Sequence, residues 1–505
     1  MTTLSKNVVF NLVGQGLVLA LSLIAVRFIF RQLGADIFGI IYFNLTLAAI
    51  ITTVLELGIS ATTVREVSRH FESEPAYTTA LIQTASFVYW AMGIFIVGAI
   101  FVGAPVLVKS WINLSSIDAG TATTMIRIMS LSTMVVLPRA LYTSLFRGRQ
   151  RMAVNNTIDV VAAITQQLGI VALLKVGGAA FTFASWISAS ALIAVFVYVL
   201  VAARFFGWQA LRPRFDLGVV KRNLRFATLM MSNSLLAMVH TSSDKVIVSK
   251  LLPVADFGLY GFASGTVGRA GFVAGSITQA AFPSLSSLFE TGDRPGLLRQ
   301  YRKIQDLVCY VTLPMFAGIC FAARPVYTYI FNAAVADRLF LPTVLIALGF
   351  AMNAALNTPY VTSLAVGKPQ IAARANVAAL FVVLPVTVVL IAFYGIVGAA
   401  ASWVFYHLFA FAYMVPMICR QCLDMSPWRW YWHVFKAFGL AFVAYGLSWL
   451  AIAAPGSFSV LALAVAYIAG SAMFAAGAYI LIGPDLRDTV INLRQTLMPR
   501  RAKVQ

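Results

Sequence analysis

Apolar runs about twenty residues long, broken by short polar turns, recur along this 505-residue chain. A run of that length crosses about 30 Å of hydrocarbon as one α-helix, which satisfies its own backbone where no water can. The pattern predicts spans at 8–30, 37–62, 80–105, 124–146, 153–173, 178–202, 226–248, 257–282, 304–328, 340–364, 370–393, 396–419, 433–453 and 458–482. Only Tyr394 and Gly395 separate the pair 370–393 and 396–419. The expected fold is all-α: a polytopic membrane protein of about 14 transmembrane helices. Composition agrees, because 11% charged residues against 60% hydrophobic ones cannot cover a water-exposed surface or a separate catalytic domain. The first run follows Lys6 and outlasts the roughly 7 to 15 apolar residues of a signal peptide, so it is expected to stay as an uncleaved span.

The formal charge of +20 reads first as orientation. When successive loops are assigned to alternate sides, most of the 37 Lys and Arg fall on one face, including Lys6, Arg65, Arg147, Arg222, Arg302, Arg374, Arg429 and Arg501. The positive-inside rule then puts both termini in the cytoplasm. The bases are scattered over loops rather than gathered in one patch, which argues against nucleic acid as a partner.

The chain also matches itself at an offset of 219 residues. Arg31-Gln-Leu-Gly-Ala-Asp-Ile-Phe38-Gly39 lies over Lys250-Leu-Leu-Pro-Val-Ala-Asp-Phe257-Gly258, and Thr143 to Arg149 lies over Thr362 to Lys368. An offset of six spans preserves orientation, so the expectation is two parallel six-helix lobes, at 1–205 and 226–425. A basic cytoplasmic linker (206–225) joins them, and an extra helix pair (426–484) and a basic tail (485–505) follow. Parallel halves suit a transporter with its site between them near mid-bilayer.

Motifs for other chemistry are lacking. Gly367-Lys368 has Thr362 where a phosphate loop needs its first glycine, and no HExxH, GxSxG or GxGxxG survives inspection. The four cysteines include one CxxC, Cys419 and Cys422, which without a second pair reads as a helix end rather than a metal or redox site. Neither metal nor cofactor is expected.

Asn7 and Asn11 at the opening of the first span, Arg31 to Gly34, Phe38-Gly39, and Leu57-Gly58-Ile59 before Arg65 together resemble bacterial polysaccharide flippases. Phe257-Gly258-Leu-Tyr260, Gln279 to Pro283 and Gly367-Lys368-Pro369 extend the likeness over the whole chain. Those proteins belong to the multidrug, oligosaccharidyl-lipid and polysaccharide exporter superfamily. The resemblance implies an inner-membrane flippase that moves an undecaprenyl-pyrophosphate-linked oligosaccharide to the periplasmic leaflet for O-antigen or exopolysaccharide synthesis. It further implies membrane lipids, a polysaccharide polymerase and chain-length machinery as partners, and no enzymatic activity. A cation-coupled drug exporter of the same superfamily and a membrane polymerase or ligase are the alternatives.

Ionisable groups inside a span cost about 2.5–3.5 kcal/mol each on insertion scales, so they face a polar cavity or a partner. Arg269 falls mid-span and Arg27 in the outer part of the first span; related flippases have arginines at similar places that line a cationic cavity. A guanidinium stays charged and its fork of donors matches phosphate oxygens. Arg127 and Arg139 are further cavity candidates, about 120° apart on one continuous fourth span. Asp159, Glu56 and Asp244 are read either as ion-pair partners of these arginines or as sites for a coupling proton or sodium ion, Asp159 foremost. His240 and His407 read as hydrogen-bonded core residues. The glycines of the eighth span suit close helix packing or a hinge.

Overall fold

The computed structural model describes residues 18, 20–453, 459–483, 486 and 487. Lys6, Asn7 and Asn11 lie outside the described residues, as do Arg494, Arg500, Arg501 and Lys503 of the tail. The chain divides into two compact units, Met1–Leu259 and Tyr260–Gln505.

The first unit holds α1 (20–33), α2 (Ala35–Leu55), α3 (Ile59–His70), α4 (Pro75–Ser110), α5 (Ala119–Met134), α6 (Val136–Gly148), α7 (Met152–Lys175), α8 (Ala180–Phe206), the short α9 (Trp208–Leu211) and α10 (Leu217–Leu251). It also contains the start of α11 (Val254–Glu290), which continues into the second unit. There follow α12 (Arg294–Ile330), α13 (Ala333–Ala365), α14 (Gln370–Cys422), α15 (Pro427–Ala453) and α16 (Val460–Leu481).

Among the described residues, ten stretches are long and apolar enough to cross a membrane: α2, α4, α5 with α6, α7, α8 and each helix from α12 to α16. At 53 residues α14 would be about 80 Å long if straight. It is not, because Gly395 takes φ 58° and ψ −133°, which turns the chain between the two spans expected at 370–393 and 396–419. A side chain disfavours that backbone, so the turn needs its glycine. The helices α10 and α11, 35 and 37 residues long, are less apolar than these ten.

Two expected spans are broken. The run at 37–62 ends at Leu55; Leu57 (φ 51°) and Gly58 (φ 70°) then redirect the chain into α3. The run at 124–146 breaks at Val135, three residues before Pro138, whose missing N–H removes a helical bond to Met134. Arg127 and Arg139 therefore stand on different helices, and the 120° separation expected on one continuous helix does not apply.

Polar networks fasten the helix ends. In the first unit, buried Glu66 accepts from Arg65 Nε (2.8 Å) and Tyr77 Oη (2.9 Å), while Asn223 Nδ2 donates to that phenol (2.8 Å) and Asn223 Oδ1 accepts from Arg65 (3.2 Å). This ties α10 to α3 and α4. Arg222 adds a bidentate pair with Glu74 (2.8 and 3.0 Å) that holds the Glu74 carboxyl below its usual range, but both side chains are solvated. Glu66→Ala is expected to destabilise the chain by about 2 kcal/mol, because half-buried Arg65 and Tyr77 lose the acceptor that the buried carboxylate supplies. Arg222→Ala should change the melting temperature in detergent little. Equal losses in the two variants would refute this ranking.

In the second unit, buried Asp306 accepts from the Gly483 N–H (3.2 Å) and lies 2.7 Å from His433, while Trp430 Nε1 donates to Gln305 (3.4 Å). These contacts anchor α15 and the end of α16 to α12. The CxxC cysteines are buried free thiols at the end of α14.

Candidate functional site

Along α11, Gly265, Arg269, Phe272, Ser276 and Gln279 are exposed. Their spacing of four, three, four and three residues puts them on one face of the helix. Exposed large side chains of α16 include Val460, Leu461, Val465, Ile468 and Ile480, and those of α15 beyond its basic first turns include Phe442, Leu447 and Leu450. Such largely apolar faces suit lipid. A face bearing Arg, Ser and Gln at mid-helix does not, since each would be stranded in hydrocarbon; it suits water. This polar face also makes α11 less apolar than the helices counted above.

Arg269 is the sixteenth of the 37 residues of α11, about 22 Å along its axis from Val254. It is exposed and makes no hydrogen bond or ion pair with any described residue. The helix is fixed in rotation by its flanking glycines. A Cβ at Gly268 or Gly271 would stand 3.1 or 3.3 Å from the Phe350 ring of α13, so both glycines seat that ring and leave Arg269 on the open side. Phe350 in turn packs on Trp403 (5.3 Å between centroids), beside buried His407. That histidine is hydrogen-bonded to Asn353 (3.0 Å) and to the Trp403 carbonyl (2.8 Å), which is the core role read from the sequence.

The first unit has its own polar cluster. Arg139 of α6 lies 2.6 Å from Asp159 Oδ1 of α7, and Tyr198 Oη of α8 donates to the same oxygen at 2.7 Å. Both Arg139 and Asp159 are partly exposed, at 44% and 37%. One turn before Asp159, Asn155 donates to the Thr143 carbonyl (2.9 Å), and its Oδ1 is buried with no hydrogen-bond partner among the described residues. Two oxygens thus lie one helical turn apart, one charged and one orphaned, an arrangement that suits a small cation or a proton.

The other candidates stand apart from that cluster. Arg127 donates from Nε to the Phe101 carbonyl (2.9 Å) and lies over that residue's ring (4.6 Å), so it braces α5 against α4. Arg27 is half-buried in α1. Asp244 is buried 3.5 Å from Lys245 on α10. Glu56 caps α2, its carbonyl accepting from Tyr89 (3.2 Å), and its carboxylate forms no ion pair with any described residue. Among the described residues no three His, Cys, Asp or Glu gather as metal ligands.

Sequence reasoning passed over Tyr198 and Ser276, and took Gln279 only as the start of a helix-end motif. Tyr198 carries no charge and lies 39 residues from Asp159, so only the fold reveals the pairing. The Ser276 and Gln279 signal was available, as polar residues in helical register with Arg269. A separate cleft of about 620 Å³ in the second unit is lined by side chains such as Phe316, Phe340, Phe435 and Trp449, suited to hydrocarbon and not to a charged headgroup.

Comparison with known proteins agrees with this architecture. The chain is 21% identical over 403 residues to a protein of Shigella flexneri described as an O-antigen transporter, covering 79% of this chain and 93% of that one. Its fold matches that of lipid II flippase MurJ in an inward closed conformation, with a TM-score of 0.72 at 13% identity over 95% of this chain and 100% of the other. It also matches an inward-facing multidrug resistance MATE family transporter of the MOP superfamily, with a TM-score of 0.62 at 10% identity over 79% and 94% of the two chains. Residues 28–337 match the family model described as polysaccharide biosynthesis protein, and the chain belongs to that family.

Proposed function

We propose that this multi-pass membrane protein is a transporter, not an enzyme, and that it flips an undecaprenyl-pyrophosphate-linked oligosaccharide from the cytoplasmic to the periplasmic leaflet of the bacterial inner membrane. Fourteen spans with both termini cytoplasmic, two six-helix lobes and an extra helix pair complete the proposed arrangement, and alternating access moves the substrate. The observation that carries the reading is Arg269, an exposed guanidinium on the polar face of α11 that pairs with no described residue. A fixed cation on a polar helix face attracts a lipid pyrophosphate and repels the cationic drugs that a multidrug exporter must hold. The relationship to a protein described as an O-antigen transporter supports the same substrate class. Deleting the gene should make a saccharide-bearing lipid accumulate on the cytoplasmic leaflet, and the wild-type gene should clear it. Drug sensitivity with no such accumulation would favour the drug exporter.

Coupling is assigned to Asp159. Arg139 and Tyr198 occupy one carboxylate oxygen, which leaves the second for a proton or sodium ion near the orphaned Asn155 Oδ1. Asp159→Asn is expected to insert normally and to cut gradient-driven uptake into proteoliposomes at least about tenfold, about 1.4 kcal/mol of coupling. Substrate binding at zero gradient should be unchanged. Full gradient dependence in this variant would remove Asp159 from the coupling path.

A further inference from the structure

The polar face of α11 continues past Arg269 for ten residues, about 15 Å along the helix. Over that length it presents Phe272, Ser276 and Gln279, none of which the binding of an anion requires. Phe272 is 75% exposed, yet it lies on the same arc as Arg269 and Ser276, so it meets the same medium. Ser276 Oγ donates to the Phe272 carbonyl (2.9 Å), which spends its proton and leaves its lone pairs as acceptors. The amide of Gln279 offers two donors and an acceptor, and no hydrogen bond to a described residue engages it. An open aromatic ring with donors and acceptors one turn away matches a sugar ring, which has an apolar C–H face and hydroxyl edges.

We propose that Phe272, Ser276 and Gln279 form a saccharide-reading surface, on which a sugar ring stacks against Phe272 and hydrogen-bonds to Ser276 and Gln279. This assignment rests on the proposed function, because it takes Arg269 as the seat of the pyrophosphate. The order along the helix fits such a ligand: the anion sits at Arg269 and the glycan extends toward Gln279. Phe272 and Gln279 are then the residues that distinguish a glycan-bearing lipid from a bare one.

The test uses the full chain in nanodiscs and two probes: undecaprenyl pyrophosphate, and the saccharide-bearing lipid that accumulates when the gene is deleted in its host. Wild type should prefer the saccharide-bearing probe by about tenfold or more, the worth of one stacked ring with one or two hydrogen bonds. The double variant Phe272→Ala, Gln279→Ala should bind both probes within about twofold of each other, with its affinity for undecaprenyl pyrophosphate and its melting temperature unchanged. Phe272→Tyr, which keeps the ring, should keep the preference. A double variant that retains the full preference overturns the proposal. The parent reading fails separately, if no saccharide-bearing lipid accumulates on deletion or if Arg269→Ala leaves both affinities unchanged.

Discussion

Arg269→Ala is expected to abolish surface polysaccharide in a strain that depends on this chain, while the protein still inserts and accumulates. The two parts of that result have separate physical grounds. Arg269 is exposed and pairs with no described residue, so its removal leaves no buried partner stranded. Folding should therefore be unaffected. Binding should lose a charge-assisted contact to phosphate, about 3 kcal/mol or more, which is over a hundredfold. Arg269→Lys keeps the charge but not the planar fork, and should fall between wild type and alanine. Surface polysaccharide on immunoblots, read beside protein level in the membrane fraction, checks both parts. Normal polysaccharide in the alanine variant would rule out the anion site.

Gly39→Val and Gly258→Val should be nearly as damaging for a different reason. These glycines are repeat mates, 219 residues apart, and they touch where α2 crosses the start of α11. A Cβ at Gly258 would stand 2.7 Å from Gly39 Cα, and one at Gly39 would overlap the Val254 carbonyl. Phe43 packs on Phe257 beside the crossing, 6.2 Å between centroids. Valine at either position must force the two backbones apart, a cost of about 1–3 kcal/mol or more in a close-packed contact. Melting temperature should fall and transport should be lost. Gly103 is a control on α4 with open space around it, and Gly103→Ala should be neutral or stabilising because alanine is the better helix former. If all three variants melted alike, the crossing would not be a tight contact.

Much of the fold is legible from apolar run length alone, because lipid leaves a chain few options. The turn at Gly395 is readable from two residues, and the crossing of α2 and α11 joins the two Phe-Gly motifs that the 219-residue repeat already pairs. The failures are equally physical. Val135 breaks a run that hydropathy treats as continuous, since a local break in the backbone leaves average hydrophobicity unchanged. Leu57 and Gly58 end α2 early by backbone conformation, which apolar counting cannot register. For the candidate site, charge inside a span picks out Arg269 and Asp159. It cannot tell Arg127, committed to the Phe101 carbonyl, from an arginine with an open face, and it overlooks neutral Tyr198 because burial of an uncharged ring raises no alarm.

Movement of a glycan-bearing lipid between leaflets is measured most directly by its sidedness. Spheroplasts of the deletion strain, with and without the wild-type chain, are probed from outside with a membrane-impermeant glycan-modifying enzyme. Modification of the lipid-linked oligosaccharide is expected only when the chain is present, and none is expected when Arg269 is alanine. Equal modification with and without the chain would contradict a flippase.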